Sequence, residues 1–157
     1  MERVAAEEPP AGDRQVEQRP IELILARQLA AALAVPVLLM DGRGDTLFFN
    51  EPAELIIARR FDEIDELSFE QRAATLAPRD EAGQPLPAEQ LPGKVAMRER
   101  RPTHGLFHIP GYDGVLRAVE ATAIPIESAG GHVLGAMVIL WRRPEGRGPD
   151  GSPPGPG

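Results

Sequence analysis

The sequence contains no cysteine, which excludes disulfides, thiolate metal centres and cysteine nucleophiles. Aromatic residues make up only 4% of the chain, with one Trp and one Tyr, so any core must be built chiefly of aliphatic side chains. Lysine is almost missing: every basic residue but Lys94 is an arginine. Histidine is sparse too, at His104, His108 and His132. No apolar run reaches the ~18 residues that a membrane-spanning helix needs, and the acidic start carries no apolar stretch of the secretory kind. The expectation is a cytoplasmic protein with no membrane contact. The formal net charge is −7. Duplex binding relies on clustered cations that displace counterions, and no basic stripe is present, so nucleic acid is not an expected partner. The densest basic group, Arg98, Arg100 and Arg101, suits the C-terminal end of a short helix, where cations complement the dipole.

What is present fits one domain. The chain has 157 residues, 42% of them hydrophobic, enough for a single core. Its ends are poorer. Residues 1–19 are polar and broken by Pro9 and Pro10, and read as a flexible lead. Residues 142–157, "RRPEGRGPDGSPPGPG", hold ten Pro or Gly out of sixteen and read as a disordered tail, with nothing to offset the entropy of ordering. Between them lie a helical segment at 20–35 and the body of the domain at 36–141.

Residues 20–34, "PIELILARQLAAALA", have Pro20 suited to a first helical turn and a stripe of Ile21, Leu25, Leu29 and Leu33. The helix is apolar nearly all round, the pattern of one covered on more than one side. In "PVLLMDGRGDTLFFN", 36–50, two apolar runs flank Asp-Gly-Arg-Gly-Asp, a hairpin signal. Both faces of these strands are apolar, so both sheet faces are expected to be covered. Asn50 is placed to cap a helix over 51–60, with Pro52 in its first turn and Arg59 and Arg60 at its end. One or two short helices are expected over 61–78. Pro85, Pro87 and Pro92 forbid a central strand in the segment 79–102, though 93–100 can make two helical turns. Three strands follow, at 103–109, 115–126 and 132–141. Asp/Glu–Gly turns recur at Asp41–Gly42, Asp80–Gly83, Asp113–Gly114 and Glu127–Gly130, and each is expected to supply a positive φ. The order of elements indicates an α+β fold with an antiparallel sheet of about five strands.

At this point three stretches together resemble a PAS domain of the kind found in bacterial sensory proteins. "PVLLMDGRGDTLFFNEPAELIIARRF" resembles the first PAS hairpin and the Asn that opens the next helix. "DEAGQPLPAEQLPGKVAMRERRPTHG" resembles the middle segment of many sensor-kinase PAS domains. "YDGVLRAVEATAIPIESAGGHVLGAMVIL" resembles the closing strands, with a Gly turn and a "GA" in the last. The resemblance covers about residues 36–141. It implies a five-stranded antiparallel sheet with a flank of short helices, and a ligand, where there is one, between flank and sheet. Residues 79–102 would then close one side of a pocket. The resemblance also implies that the amphipathic helix before the domain packs on the outer sheet face and serves dimers. PAS domains usually sit beside an output module; only sixteen residues follow Trp141, so the signal is expected to leave through a separate protein or a change of oligomer. The family's light-sensing flavin adduct and its thioester-linked chromophore both need a cysteine, so both are excluded. Its haem-binding members often take an axial histidine from the helical flank, and residues 51–102 contain none, which argues against haem.

No enzyme constellation emerges: a Ser–His–Asp set, a P-loop and a dinucleotide fingerprint are all missing, and "GRG" at 42–44 leads into a strand rather than a helix. His104 and His108 point the same way on one strand, ~13 Å apart at ~3.3 Å per residue, too far for one metal ion. Asp62, Glu63, Asp65 and Glu66 suit a solvated helix start. Glu120, mid-strand among apolar neighbours, would be costly if buried unpaired; it either faces outward in a salt bridge or makes a polar contact in a ligand pocket. Two functions follow. The first is a sensory module binding a small, mostly apolar ligand, lined by Phe48, Leu55, Ile56, Met97, Leu106, Phe107, Met137 and Ile139, with Glu120 as a polar contact. The second is a ligand-free interaction module, in which Ile21, Leu25, Leu29, Leu33 and Trp141 form a homodimer or dock a separate kinase or regulator.

Overall fold

The structure, a computed structural model, describes residues 19–64 and 77–144. The flexible lead (but for Arg19), the remainder of the short helices expected over 61–78, and the tail beyond residue 144 lie outside the described residues. Helix α1 (Ile21–Ala32) opens behind Pro20, whose carbonyl accepts from the amides of Leu23 and Ile24. It ends two residues before the expected boundary, because Leu33 is already extended at φ −80°, ψ 141° and leads the chain through Pro36 into the sheet. Strands β1 (Val37–Asp41) and β2 (Thr46–Phe49) form the expected hairpin. Its turn is closed by Asp41, whose Oδ1 accepts from the amides of Arg43 and Asp45 at 2.9 and 3.0 Å. In this turn and in the last, the second glycine rather than the first takes the positive φ: Gly44 at 90° and Gly131 at 80°. The tightening falls two residues later than the Asp–Gly pattern indicated in the first turn and one residue later in the last.

Asn50 does cap helix α2 (Glu51–Ile57), accepting from the amide of Ala53 at 3.2 Å. The helix stops before Arg59 and Arg60, at Ala58, which adopts the left-handed conformation with φ 59°. Glycine enters that region without the steric penalty of a Cβ. Ala58→Gly is therefore expected to stabilise the fold by about 0.5–1 kcal/mol, read as a higher midpoint in urea; a lower midpoint would refute this account of the helix end. After the short helix α3 (Phe61–Ile64) and a proline-rich stretch come a 3-10 turn at Ala88–Gln90 and helix α4 (Pro92–Glu99). Strands β3 (Thr103–Pro110), β4 (Leu116–Glu127) and β5 (Val133–Arg142) complete the chain.

The five strands form one antiparallel sheet in the order β2-β1-β5-β4-β3, the α+β architecture expected. The first and last strands lie side by side at its centre. Pro125 is tolerated within β4 because β3 pairs only as far as Ala123, which leaves β5 as the sole neighbour there. One sheet face carries the main core, in which Ile56, Ala96, Phe107, Ile109, Val119, Val138 and Leu140 are buried. The opposite, outer face receives α1 through Leu23 and Ala30. That cover is partial: Leu106, Ile124 and Trp141 are 39%, 39% and 43% exposed, so the expectation of a sheet covered on both faces holds only toward β1 and β2. The β3–β4 hairpin is held by Asp113, which accepts two bonds from the Arg117 guanidinium at 2.8 and 2.6 Å. That hydrogen-bonded cation holds the Asp113 carboxyl well below the usual carboxylate range, and Arg100 likewise lowers Glu127. A carboxylate lowered in the folded state stabilises fully above its unfolded pKa of ~3.9–4.3, and that contribution is lost as pH falls through the depressed native value. Urea midpoints are thus expected to fall below about pH 4, with a shallower fall in Asp113→Asn; an unchanged pH slope in that variant would refute the assignment.

Candidate functional site

Between the inner sheet face and the proline-rich flank lies a cavity of about 360 Å³, toward the small end of the ~300–1,000 Å³ usual for small-molecule sites. The sheet supplies Leu38, Met40 and Thr46 from β1 and β2, Phe107 and Ile109 from β3, and Leu140 from β5. Helix α2 adds Ile57, and the flank adds Ala77, Pro78, Pro85, Leu86, Ala88 and Leu91. The flank holds its shape without joining the sheet as a full strand. Residues 78–86 fold back in a tight turn, with Leu86 donating to the Pro78 carbonyl at 2.8 Å and Gly83 to that of Asp80 at 3.0 Å. Arg79 exchanges both backbone hydrogen bonds with His108, at 2.9 and 2.8 Å, and so pins the turn to the free edge of β3. Pro87 and Pro92 then set the starts of the 3-10 turn and of α4. Among the described residues Thr46 is the one polar side chain of the lining, and none of them is charged. Such a chamber excludes ions and favours apolar bodies, because a desolvated charge inside it would find no partner.

The residues expected to line a pocket are distributed as follows. Phe107 lines this cavity. Ile56 belongs to the adjoining core and Met97 is buried on α4. Leu55 is 77% exposed on the solvent side of α2. Phe48, Leu106, Glu120, Met137 and Ile139 lie on the outer sheet face. Phe48 pairs with Leu39 and sits 4.9 Å beneath the Arg27 guanidinium of α1. Met137 and Ile139 pair with Leu39 and Val37, one residue out of step with the core residues Val138 and Leu140. Strand parity is the reason, since neighbouring residues of a strand point to opposite faces. The adjacent Leu106 and Phe107 cannot both reach one cavity, and parity alone could have shown this. Once Phe107 is placed inside, the same rule brings in Ile109. By contrast, Leu38, Met40 and Thr46 were beyond sequence reasoning, because both faces of β1 are apolar and the pairing is offset between Leu39 and Met40, leaving Leu47 without a partner on β1.

Glu120 takes the outward alternative: its Oε1 is 2.9 Å from His104 Nε2 on the neighbouring strand, with both side chains about half exposed. The other ring nitrogen of His104 lies 3.1 Å from Thr122 Oγ1. Among the described residues no cluster of three or more His, Asp or Glu side chains could hold a metal ion. The stripe Ile21, Leu25 and Leu29 is 60%, 56% and 54% exposed, turned away from the sheet, while Leu33 is half-buried just past the helix end. Among the described residues no helix is long and apolar enough to cross a membrane.

No family model matches the sequence, and no curated protein does. Solved structures do match. The PAS domain of Bordetella pertussis BvgS is 17% identical with a TM-score of 0.50, over 79% of this chain and 87% of that one. The Rhodobacter sphaeroides LOV protein is 11% identical with a TM-score of 0.56, over 83% of this chain and 70% of that one. A phage VqmA–DPO complex is 13% identical with a TM-score of 0.53, over 78% of this chain and 53% of that one, so the chain spans about half of VqmA. The strand order, the helical flank over one sheet face and these likenesses agree: the chain has the fold of a PAS domain.

Proposed function

We propose that this chain is a cytoplasmic sensory module whose cavity binds a small, mostly apolar ligand and whose outer face relays the bound state to a second copy or to a separate kinase or regulator. The observation that carries the reading is the apolar cavity between sheet and flank, with walls contributed by four of the five strands and by the flank, so that occupancy is felt across the sheet. A VqmA complexed with DPO, a protein of the same fold, supports the ligand-binding part. The reading is non-catalytic: among the described residues the relay-like grouping Glu120–His104–Thr122 is on the exposed outer face, on the other side of the sheet from the cavity. Native mass spectrometry of the purified protein, compared with the denatured sample, tests it. A bound mass that is lost on denaturation is expected. Absence of any bound mass, together with no thermal shift from small apolar compounds, would sink the ligand reading.

A second reading, a ligand-free interaction module, is favoured by the exposed stripe of α1 beside the bare outer face around Trp141. Exposed apolar side chains grouped on one element fit an interaction site. Here Leu25→Glu combined with Leu29→Glu is expected to convert a dimer to a monomer in light scattering without unfolding it. A wild-type protein that is monomeric at high concentration would remove the homodimer from this reading.

A further inference from the structure

Lys94 is the sole lysine in the chain, and it stands at the rim of the cavity. It projects from the first half of α4, and its side chain crosses to the β1–β2 turn, where a Cβ on the cavity-lining Gly44 would meet Lys94 Cε and Nζ. Nζ donates to the Arg43 carbonyl at 2.8 Å. On the flank side it faces the Glu89 carboxylate at 3.6 Å, next to the lining residue Ala88. The ammonium thus spans from the β1–β2 turn to the 3-10 turn, beside the lining residues Gly44 and Ala88, and its side chain is only 23% exposed. An ammonium has three donors; the Arg43 carbonyl occupies one, and the Glu89 contact is loose. Glu89 is 71% exposed and also faces Arg98 at 3.7 Å, so its hold on Lys94 is that of a weak surface pair. In the same turn the Asp41 carboxylate is engaged by the Arg43 and Asp45 amides.

We infer that the cavity takes a ligand with an apolar body and one carboxylate, the body against the uncharged lining and the carboxylate on Lys94 in the place Glu89 now holds. The inference rests on the ligand-binding reading above and narrows it. An apolar chamber supplies affinity without orientation; a cation at its rim fixes which end of the ligand faces out. A charge-assisted hydrogen bond of this kind contributes more than a neutral one.

The test compares octanoate with octan-1-ol, which share an apolar body, by calorimetry on the full chain. Octanoate is expected to bind roughly ten-fold or more tightly than octanol. Lys94→Met, which keeps the apolar stem, should abolish that preference while octanol binds as before; Glu89→Gln, which removes the competing carboxylate, should strengthen octanoate binding alone. Equal binding of the two compounds to the wild type would overturn the inference and leave the cavity reading intact. An octanoate preference that survives Lys94→Met would overturn it as well. Binding of neither compound would overturn the inference together with the apolar-ligand reading.

Discussion

Replacing Asn50 by Ala is expected to lower the stability of the domain by about 4 kcal/mol. Asn50 is 2% exposed and is the one buried polar residue among those described. Its Oδ1 accepts from the amides of Val37 at 2.9 Å and Ala53 at 3.2 Å. Its Nδ2 donates to the carbonyls of Ala30, Leu33 and Val35 at 3.0, 3.3 and 2.8 Å. One side chain therefore caps α2, closes the end of α1 and satisfies the start of β1. Loss of a helix cap alone costs about 1 kcal/mol. Each buried group stranded without a partner adds about 1–3 kcal/mol, and water entry relieves only part of that. The thermal midpoint should fall by roughly 10–20 °C. Asn50→Asp separates the two roles. Aspartate caps helices as well as asparagine does, but it has no Nδ2 and would set a carboxylate against three carbonyl oxygens. If capping were the whole role, Asn50→Asp would be nearly neutral; a loss close to that of Asn50→Ala is the expected result. A loss under about 1 kcal/mol for Asn50→Ala would refute the junction account.

The second large effect is expected at Gly135. In β5 this residue pairs with Asp41 of β1, and a Cβ placed on it would press into the Met40 carbonyl oxygen, with the Asp41 backbone also in reach. Just before it the β4–β5 pairing shifts register between Ile126 and Glu127, leaving Leu134 without a partner on β4. The bulge and the close approach belong together, because an extra residue bends the strand locally. Backbone atoms held in a central ladder cannot rotate aside. Gly135→Ala should therefore cost about 2–3 kcal/mol, the upper part of the range for overpacking. Gly93→Ala is the informative comparison. There a Cβ would meet the Met40 side chain, Sδ at 2.6 Å and Cε at 2.8 Å, and methionine is flexible enough to yield. The expected cost is under about 1 kcal/mol. Chemical denaturation of the two variants side by side tests the distinction, and equal losses would show that backbone and side-chain obstacles are not being discriminated at these sites.

Much of the fold was legible because its signals are local. Asp41 and the glycines beside it mark a turn whatever surrounds them, since Asx hydrogen bonds and positive φ depend on a few neighbouring residues. The cap at Asn50 was readable from Pro52 and the apolar run behind it. Its bonds to Ala30, Leu33 and Val35 were not, because those carbonyls converge on it only when the chain from α1 doubles back. The flank was foreseen as a pocket wall through the resemblance of 79–102, whereas composition showed only that those residues could not be a central strand. Sheet facing was the least legible feature. Phe48, Met137 and Ile139 are as apolar as Met40 and Leu140, and apolarity does not say which face a side chain takes.

By itself, then, the sequence determined the order of the described helices and strands, roughly where the chain turns between them, and that thiol chemistry is closed to it. No cysteine means no thiol adduct. Only the tertiary structure decided that β1 lies beside β5, that Leu38, Met40 and Leu140 rather than Phe48, Met137 and Ile139 meet the cavity, and that Lys94 stands at its rim. The physical reason is range. Turns, caps and periodicity follow from interactions over a few residues, but facing in a strand has a period of two, so one bulged residue or one choice of neighbour reverses it. That choice is made by contacts between segments from opposite ends of the domain.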